Sequence, residues 1–391
     1  MRAEEFAETL AHRLHDELDE LAVPARGWMA ARPDLGRRIR RRRGRQALAA
    51  AAGITVVTVA AALASAGSHN AVHRHSPPAA PVRLRQLASR SFGGSPAPQP
   101  AAFLTYGAGQ LFAVVYGQSQ TPLLRLDPVS LRVTGELPAG RGLPPVYGGG
   151  ALWVTGGPGA TQLWRIDPGT LRVSRRIQVR AQITALAFSD GRLWLTDCVA
   201  STRSGRCQHS RQRLERIDPR SGKVTGSGSL PIASTSVDLA AGRVILVSGE
   251  NSPVFAIDPQ TLAIRQTFHV NCDGCQGATG IAVGPDGLYA VSGSRVVRLN
   301  LTTGGVAAHG PRLPFSFLGA LAAAPGSLWL STETGTFRLD PVTLAPTAHV
   351  IARNDSLSLT GDTEQALVAG GSVYVSYSGG LARYSGTESR P

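Results

Sequence analysis

The sequence predicts an all-β fold: a seven-bladed β-propeller of four-stranded antiparallel blades over residues 101–385, preceded by one transmembrane helix and a short N-terminal amphipathic helix. Three observations predict it. First, an Arg-Ile-Asp-Pro step or a close variant recurs at Asp127, Asp167, Asp218, Asp258 and Asp340, with Asn300 in the fifth slot, at gaps of 40, 51, 40, 42 and 40 residues. Second, a short apolar strand precedes each step and reads seven times: 111–116, 152–155, 193–196, 244–247, 288–291, 328–331 and 373–377. Third, Gly, Pro and Asp bound these strands, as short antiparallel strands require. Four strands at a period of about 40–45 residues mark a propeller blade.

Within each unit, Asp followed by Pro suits a type I turn, because the Asp side chain bonds the following backbone and Pro fixes its own dihedral. Seven second strands against six complete closing strands leave the last blade short. The segment 82–92, which precedes the first full unit, is the expected donor of that outer strand, a clasp that leaves no long unpaired edge. A six-bladed ring is the main alternative. Trp153, Trp194 and Trp329, with Tyr289 and Phe112, recur at one position and are expected in the packing between blades.

Ahead of the propeller, 47–66 is a twenty-residue run without charge, long enough as a helix to span a bilayer core of about 30 Å. Seven arginines within 37–45 precede it, and the positive-inside rule places them in the cytoplasm and the propeller outside. Residues 1–46 are therefore the cytoplasmic segment, 67–100 a Pro-rich linker that contains the clasp, and 386–391 a tail. Ala64-Ser65-Ala66 has the form of a signal-peptidase site, but an n-region of 46 residues favours a retained anchor. The expected location is the cell membrane, single-pass, with the N-terminus inside. Residues 1–22 space Phe6, Leu10, Leu14, Leu18 and Leu21 as one helical face, which calls for an apolar partner such as a cytoplasmic regulatory protein.

The chain carries 40 basic and 26 acidic residues, of which 11 and 8 fall within 1–46, so a basic surplus of 11 lies beyond. Lys223 is the only lysine, and the richness in Arg, Ala, Gly and Pro points to a high-GC bacterial genome. The external arginines are spread over the blades, with one cluster at 203–216. Scattered charge steers ligands without specifying them, so nucleic acid is not the expected partner. All four cysteines lie outside. Cys198 and Cys207 would staple the long loop of blade three, and Cys272 with Cys275 reads first as a second disulfide, with metal binding and redox exchange as alternatives.

At 190–197 and 277–289 the repeats resemble the streptogramin-lyase-like and NHL or YVTN propellers. That resemblance implies a blade architecture and no particular substrate. In the lyase, active blades begin with a Pro-His-Gly step and the hairpin strand ends in Glu. Here the matching positions hold Thr279, Ser292 and Asp197, so the resemblance carries over no catalytic set, and no cofactor or bound metal is expected. Polar residues at the starts of inner strands and at strand ends are the candidates for a ligand ring at the channel mouth: Thr184, Asp197, Asp238, Thr279, Glu333 and Gln365. The function expected is a membrane-anchored, extracytoplasmic binding, scaffold or sensor module for a protein or envelope polymer. A lyase or hydrolase using the central pocket with a divalent ion on Asp197, Asp238 or Glu333 is the alternative.

Overall fold

A computed structural model describes residues 82–92 and 101–385, apart from short stretches at 117–120, 140–142, 201–206, 232–236, 242–244, 250–252, 271–277, 279, 285–286, 301, 314–317, 333–334, 351–362 and 378. The predicted amphipathic helix and the 47–66 span lie outside them. Among the described residues no helix is long and apolar enough to cross a membrane.

Among the described residues the strands form seven sheets. Blade one comprises Ala101–Gly107, Gln110–Tyr116, Thr121–Leu126 and Val133–Ala139; blade two Val146–Gly148, Ala151–Gly156, Gln162–Ile166 and Val173–Gln178; blade three Gln182–Ser189, Arg192–Ala200, Cys207–Ile217 and Val224–Leu230. Blade four runs Val237–Ala241, Ile245–Gly249, Val254–Ile257 and Ile264–Phe268; blade five Gly280–Gly284, Gly287–Ser292, Arg295–Leu299 and Val306–His309; blade six Leu318–Ala324, Ser327–Thr332, Gly335–Leu339 and Pro346–Val350. Blade seven has Thr363–Ala369, Ser372–Tyr377 and Gly380–Ser385, and takes Gln86–Ser91 as its antiparallel outer strand. The first strands of successive blades touch in turn, and that of blade seven touches that of blade one, so the ring is closed. The clasp also reaches the neighbouring blade, where Val82 and Arg83 pair in parallel with Ala348 and His349 at the edge of blade six.

Strand alternation places two kinds of turn at one end of the ring, here the turn face. The hairpins between first and second strands there have two or three residues, and the Asp-Pro connections all have six, for example 127–132 and 340–345. Each Asp-Pro connection is wider than the expected type I turn. The backbone N–H of the fifth residue bonds the carbonyl of the first, as from Leu131 to Asp127 at 2.9 Å, and the N–H of Asp127 bonds the carbonyl of Arg132 at 2.9 Å. The fifth residue is left-handed: Leu131, Leu171, Leu262 and Leu344 lie at φ 57–61°, and Gly222 and Gly304 fill the slot elsewhere. A leucine there is strained by about 1 kcal/mol or more, and burial offsets the strain. Leu131 and Leu344 are each 1% exposed and sit between blades seven and one and between five and six. The preceding blade leaves room for the knob: a Cβ added at Gly135 would come within 2.8 Å of Leu171.

A second device runs around the same face, with every blade but the sixth donating to the six-residue connection of the next. Arg125 bonds the Pro168 carbonyl at 3.3 Å, Arg175 the Arg220 carbonyl, and Arg216 the Pro259 carbonyl at 2.6 Å. Gln266 bonds Thr302 at 3.3 Å and Tyr289 bonds Pro341 at 3.1 Å. Tyr374 and Arg383 of blade seven reach Pro128 and Val129 of blade one at 2.9 and 3.2 Å. The Arg before Leu-Asp or Ile-Asp thus acts between blades at Arg125 and Arg216, whereas Arg165 bonds Ser174 in its own blade, and the repeated Asp acts within its own. Trp153, Trp194, Trp329, Tyr289 and Phe112 are all buried, as their recurrence predicted.

Candidate functional site

On the turn face the carboxyl and amide groups that open the six-residue connections are already engaged. Asp127 accepts from the N–H groups of Val129 and Ser130 at 3.1 and 2.7 Å and from the Ser130 hydroxyl at 2.7 Å. Asp340 accepts from Val342 and Thr343 in the same way, and Asn300 from Thr302 and Thr303. These bonds hold the turn carboxyls below the ordinary range. The Ser130 backbone does so for Asp127, the Thr170 backbone for Asp167, the Ser221 hydroxyl for Asp218 and the Thr343 backbone for Asp340. At Asp258 burial pushes up, but bonds from Thr261, Gln260 and Arg265 outweigh it. A carboxylate so committed is a cap, not a ligand.

The opposite end, the loop face, is irregular. Its blade-to-blade connections range from three residues at 179–181 to twelve at 351–362. Three of the residues expected at a ligand ring fall near it, and each is otherwise engaged. Thr184 bonds the carbonyl of Thr196 at 3.2 Å and lies 2.7 Å from its hydroxyl. Gln365, fully buried, belongs to the seam between blades seven and one, where its Oε1 accepts from the Leu104 N–H at 2.5 Å and its Nε2 donates to the Leu104 carbonyl at 3.1 Å. Ser376 supports the same seam by accepting from the Ala102 N–H at 3.0 Å. Asp238 lies in an inner strand opposite Ser248, but its side chain is outside the described residues, as are Thr279 and Glu333.

Asp197 is the most informative of the set. It is fully buried, and both its oxygens are held by Arg213, Nε to Oδ1 at 3.0 Å and Nη2 to Oδ2 at 2.6 Å. The same Nη2 lies 3.5 Å from Glu215, which is 4% exposed. This corrects the expectation of a free acid at the channel mouth: the carboxylate is consumed by a bidentate pair, the strongest partner available to it. Alternation puts Asp197 on the face of Leu193 and Leu195, which pack with Trp153, so the cluster lies between blades two and three. Burial pushes the Glu215 carboxyl up, the charge of Asp197 adds to this, and Arg213 and Arg180 oppose it. Donating to Asp197 raises the Arg213 guanidinium further.

Arg213 and Glu215 were missed by sequence reasoning, although a signal existed. Counted from the Asp-Pro step, Glu215 stands where other blades have Leu124, Trp164, Phe255, Val297 and Phe337. An acid in an apolar slot requires a buried partner. On the other face of the same strand, Gln212 is 1% exposed and both its amide atoms lack a partner. It sits opposite Cys198, which is disulfide-bonded. The side chain of Cys207 and both Cys272 and Cys275 are outside the described residues. Among the described residues no group of three or more His, Cys, Asp or Glu could hold a metal ion.

No family model matches the chain, and no curated protein matches it. Solved structures do. The WD40 domain of Neurospora crassa Pan2 superimposes with a TM-score of 0.57 at 12% identity, over 79% of this chain and 98% of that one. The WD40 β-propeller domain of Doa1 gives 0.54 at 12% identity, over 78% and 98%. At such identity the likeness is one of fold. It supports a β-propeller without assigning the chain to the lyase-like, NHL or YVTN families.

Proposed function

We propose that this chain is a membrane-anchored, extracytoplasmic β-propeller that binds a protein on its loop face as a non-enzymatic scaffold or sensor. The observation that carries the reading is the asymmetry of the ring. On the turn face the connections are uniform and their carboxylates and carbonyls are spent on capping and latching. On the loop face the connections differ in length from blade to blade, and recognition on a rigid scaffold resides in such loops. Neither Thr184, Asp197 nor Gln365 is free to start chemistry, which weighs against a central lyase or hydrolase site. The WD40 neighbours agree with an interaction platform as far as fold-level analogy goes.

The anchor rests on the uncharged run 47–66 and the arginines before it. A disulfide between Cys198 and Cys207 would fix the 201–206 loop on the recognition face, and it suits an oxidising compartment. An envelope polymer could use the same loops, and residues 1–22 would offer an apolar helix to a cytoplasmic regulator. In-cell crosslinking of the tagged full-length protein tests the reading. Specific external partners whose capture fails when the 201–206 or 310–317 loop is replaced support it. Capture that is indifferent to both loops, or turnover of a small molecule by the purified chain, would count against it.

A further inference from the structure

We propose that Val82–Phe92 is a strap that leaves and rejoins the ring as a unit, opening the seam between blades six and seven while the other blades stay folded. The argument starts from how this seam is built. Elsewhere the outer strand follows a six-residue turn that carries an acid or amide cap, a left-handed fifth residue and a carbonyl for the latch of the preceding blade. In blade seven that turn is split between the two ends of the domain. Ser385 stands where Asp127 stands in blade one, and its N–H bonds the Arg85 carbonyl at 3.1 Å, the counterpart of Asp127 to Arg132. Leu84-Arg85 then takes the place of Leu131-Arg132. Leu84, 8% exposed, fills the knob position among Trp329, Ala348, Tyr377 and Tyr384. The covalent turn and the side-chain cap are absent from this blade by topology.

What holds the strap is modest. Its strand buries little, with Leu87 41% exposed and only Ala88 and Phe92 packed in part on the core between blades seven and one. Beyond the ladder to Gly380–Ser385, it has the two-residue pairing of Val82 and Arg83 on the edge of blade six, the Ser385 N–H on Arg85, the Phe92 N–H on Gly379 at 3.0 Å, Ser91 on the same carbonyl at 3.3 Å, and Tyr384 on Gln86 at 3.4 Å. By contrast, the second strands of blades six and seven are buried throughout. Segments with few buried apolar contacts open at lower free energy than the core. The strap is also the ring's connection to residues 1–81. Anything bound across the seam and anything acting on the N-terminal segment therefore bias one equilibrium, reciprocally. This coupling rests on the anchored reading above; the detachment itself does not.

Hydrogen exchange on the full-length chain in detergent, wild type against Leu84→Asp, tests the proposal. Charging the knob should speed exchange of Gln86–Ser91 and Gly380–Ser385 by about tenfold or more, with Arg192–Ala200 and Gly287–Ser292 at wild-type rates. Acceleration of all blades together would overturn the proposal, as would no change anywhere. If Leu84→Asp does not fold, Leu84→Ala should give the same ranking with a smaller factor. A chain that proves not to be membrane-inserted would sink the anchored reading and leave this exchange pattern intact.

Discussion

Replacing Gln365 by alanine separates a structural peg from a ligand-binding residue. The inner strand of blade one pairs on only one side, so the outward N–H and carbonyl of Leu104 have no ladder partner of their own. The Gln365 amide serves both, at 2.5 and 3.1 Å, and Gln365 and Leu104 are both fully buried. Two hydrogen bonds are worth about 1 kcal/mol each net, and leaving the partner groups unsatisfied adds more, so the expected loss is about 2–4 kcal/mol. For a ring running from Ala101 to Ser385, unfolding entropy near 2.1 cal/mol/K per residue gives roughly 0.6 kcal/mol per degree, and Tm should fall by about 3–7 °C.

Thermal and urea denaturation of the full-length protein in detergent measure this. Gln365→Glu sharpens the test. The ionised acid can accept from Leu104 N–H but has nothing to donate to the carbonyl, whereas the protonated acid can do both. Burial raises the folded pKa of such a group, so its stability is full at low pH and lost as pH rises through that pKa. The deficit of Gln365→Glu should therefore narrow on acidification, while that of Gln365→Ala should not. A Gln365→Ala protein melting within about 1 °C of wild type, with impaired partner capture, would refute the peg and restore the ligand role.

Other perturbations follow from the same geometry. Arg213→Ala strands the fully buried Asp197 and should cost about 3 kcal/mol, the low end for a broken buried pair because Arg213 is part-exposed; urea midpoints measure it. Glu215→Gln should flatten the fall in stability as pH rises above about 4.3. The raised pKa of Glu215 makes wild-type stability fall as pH rises through it, which pH-resolved melts would show. The turn carboxyls have the opposite sign: their depressed pKa values give stability that is present above about pH 3.9 and lost as pH falls further. Asp127→Asn should therefore blunt acid denaturation. Finally, Gly135→Val should destabilise the seam between blades one and two through its clash with Leu171, and in a double-mutant cycle on denaturation its loss and that of Leu171→Gly should be less than additive.

The repeat was legible because its parts must be identical to work. Asp127, Asp167, Asp218, Asp258 and Asp340 cap turns of one length, and the Trp153, Trp194 and Trp329 positions fill one kind of gap, so each leaves a periodic trace. The clasp was legible from the shortage of one outer strand, but its second attachment was not: two residues on the edge of blade six leave no pattern of alternation. The site was read least well, for a physical reason. A polar residue at a strand end looks the same in sequence whether it meets solvent, as a ligand ring requires, or a partner on the next strand, as Thr184, Asp197 and Gln365 do. What distinguishes the cases is the partner, and it can sit 16 residues away, as Arg213 does from Asp197, or 261, as Leu104 does from Gln365. A repeat offers one remedy: compare each blade with its siblings at a fixed offset from the turn. By that measure Glu215 is the outlier among five apolar residues, and the polar seam between blades two and three is visible in the sequence itself. The same comparison applied to Ser385 and Leu84-Arg85 exposes the split turn, so the strap was written in the repeat as well.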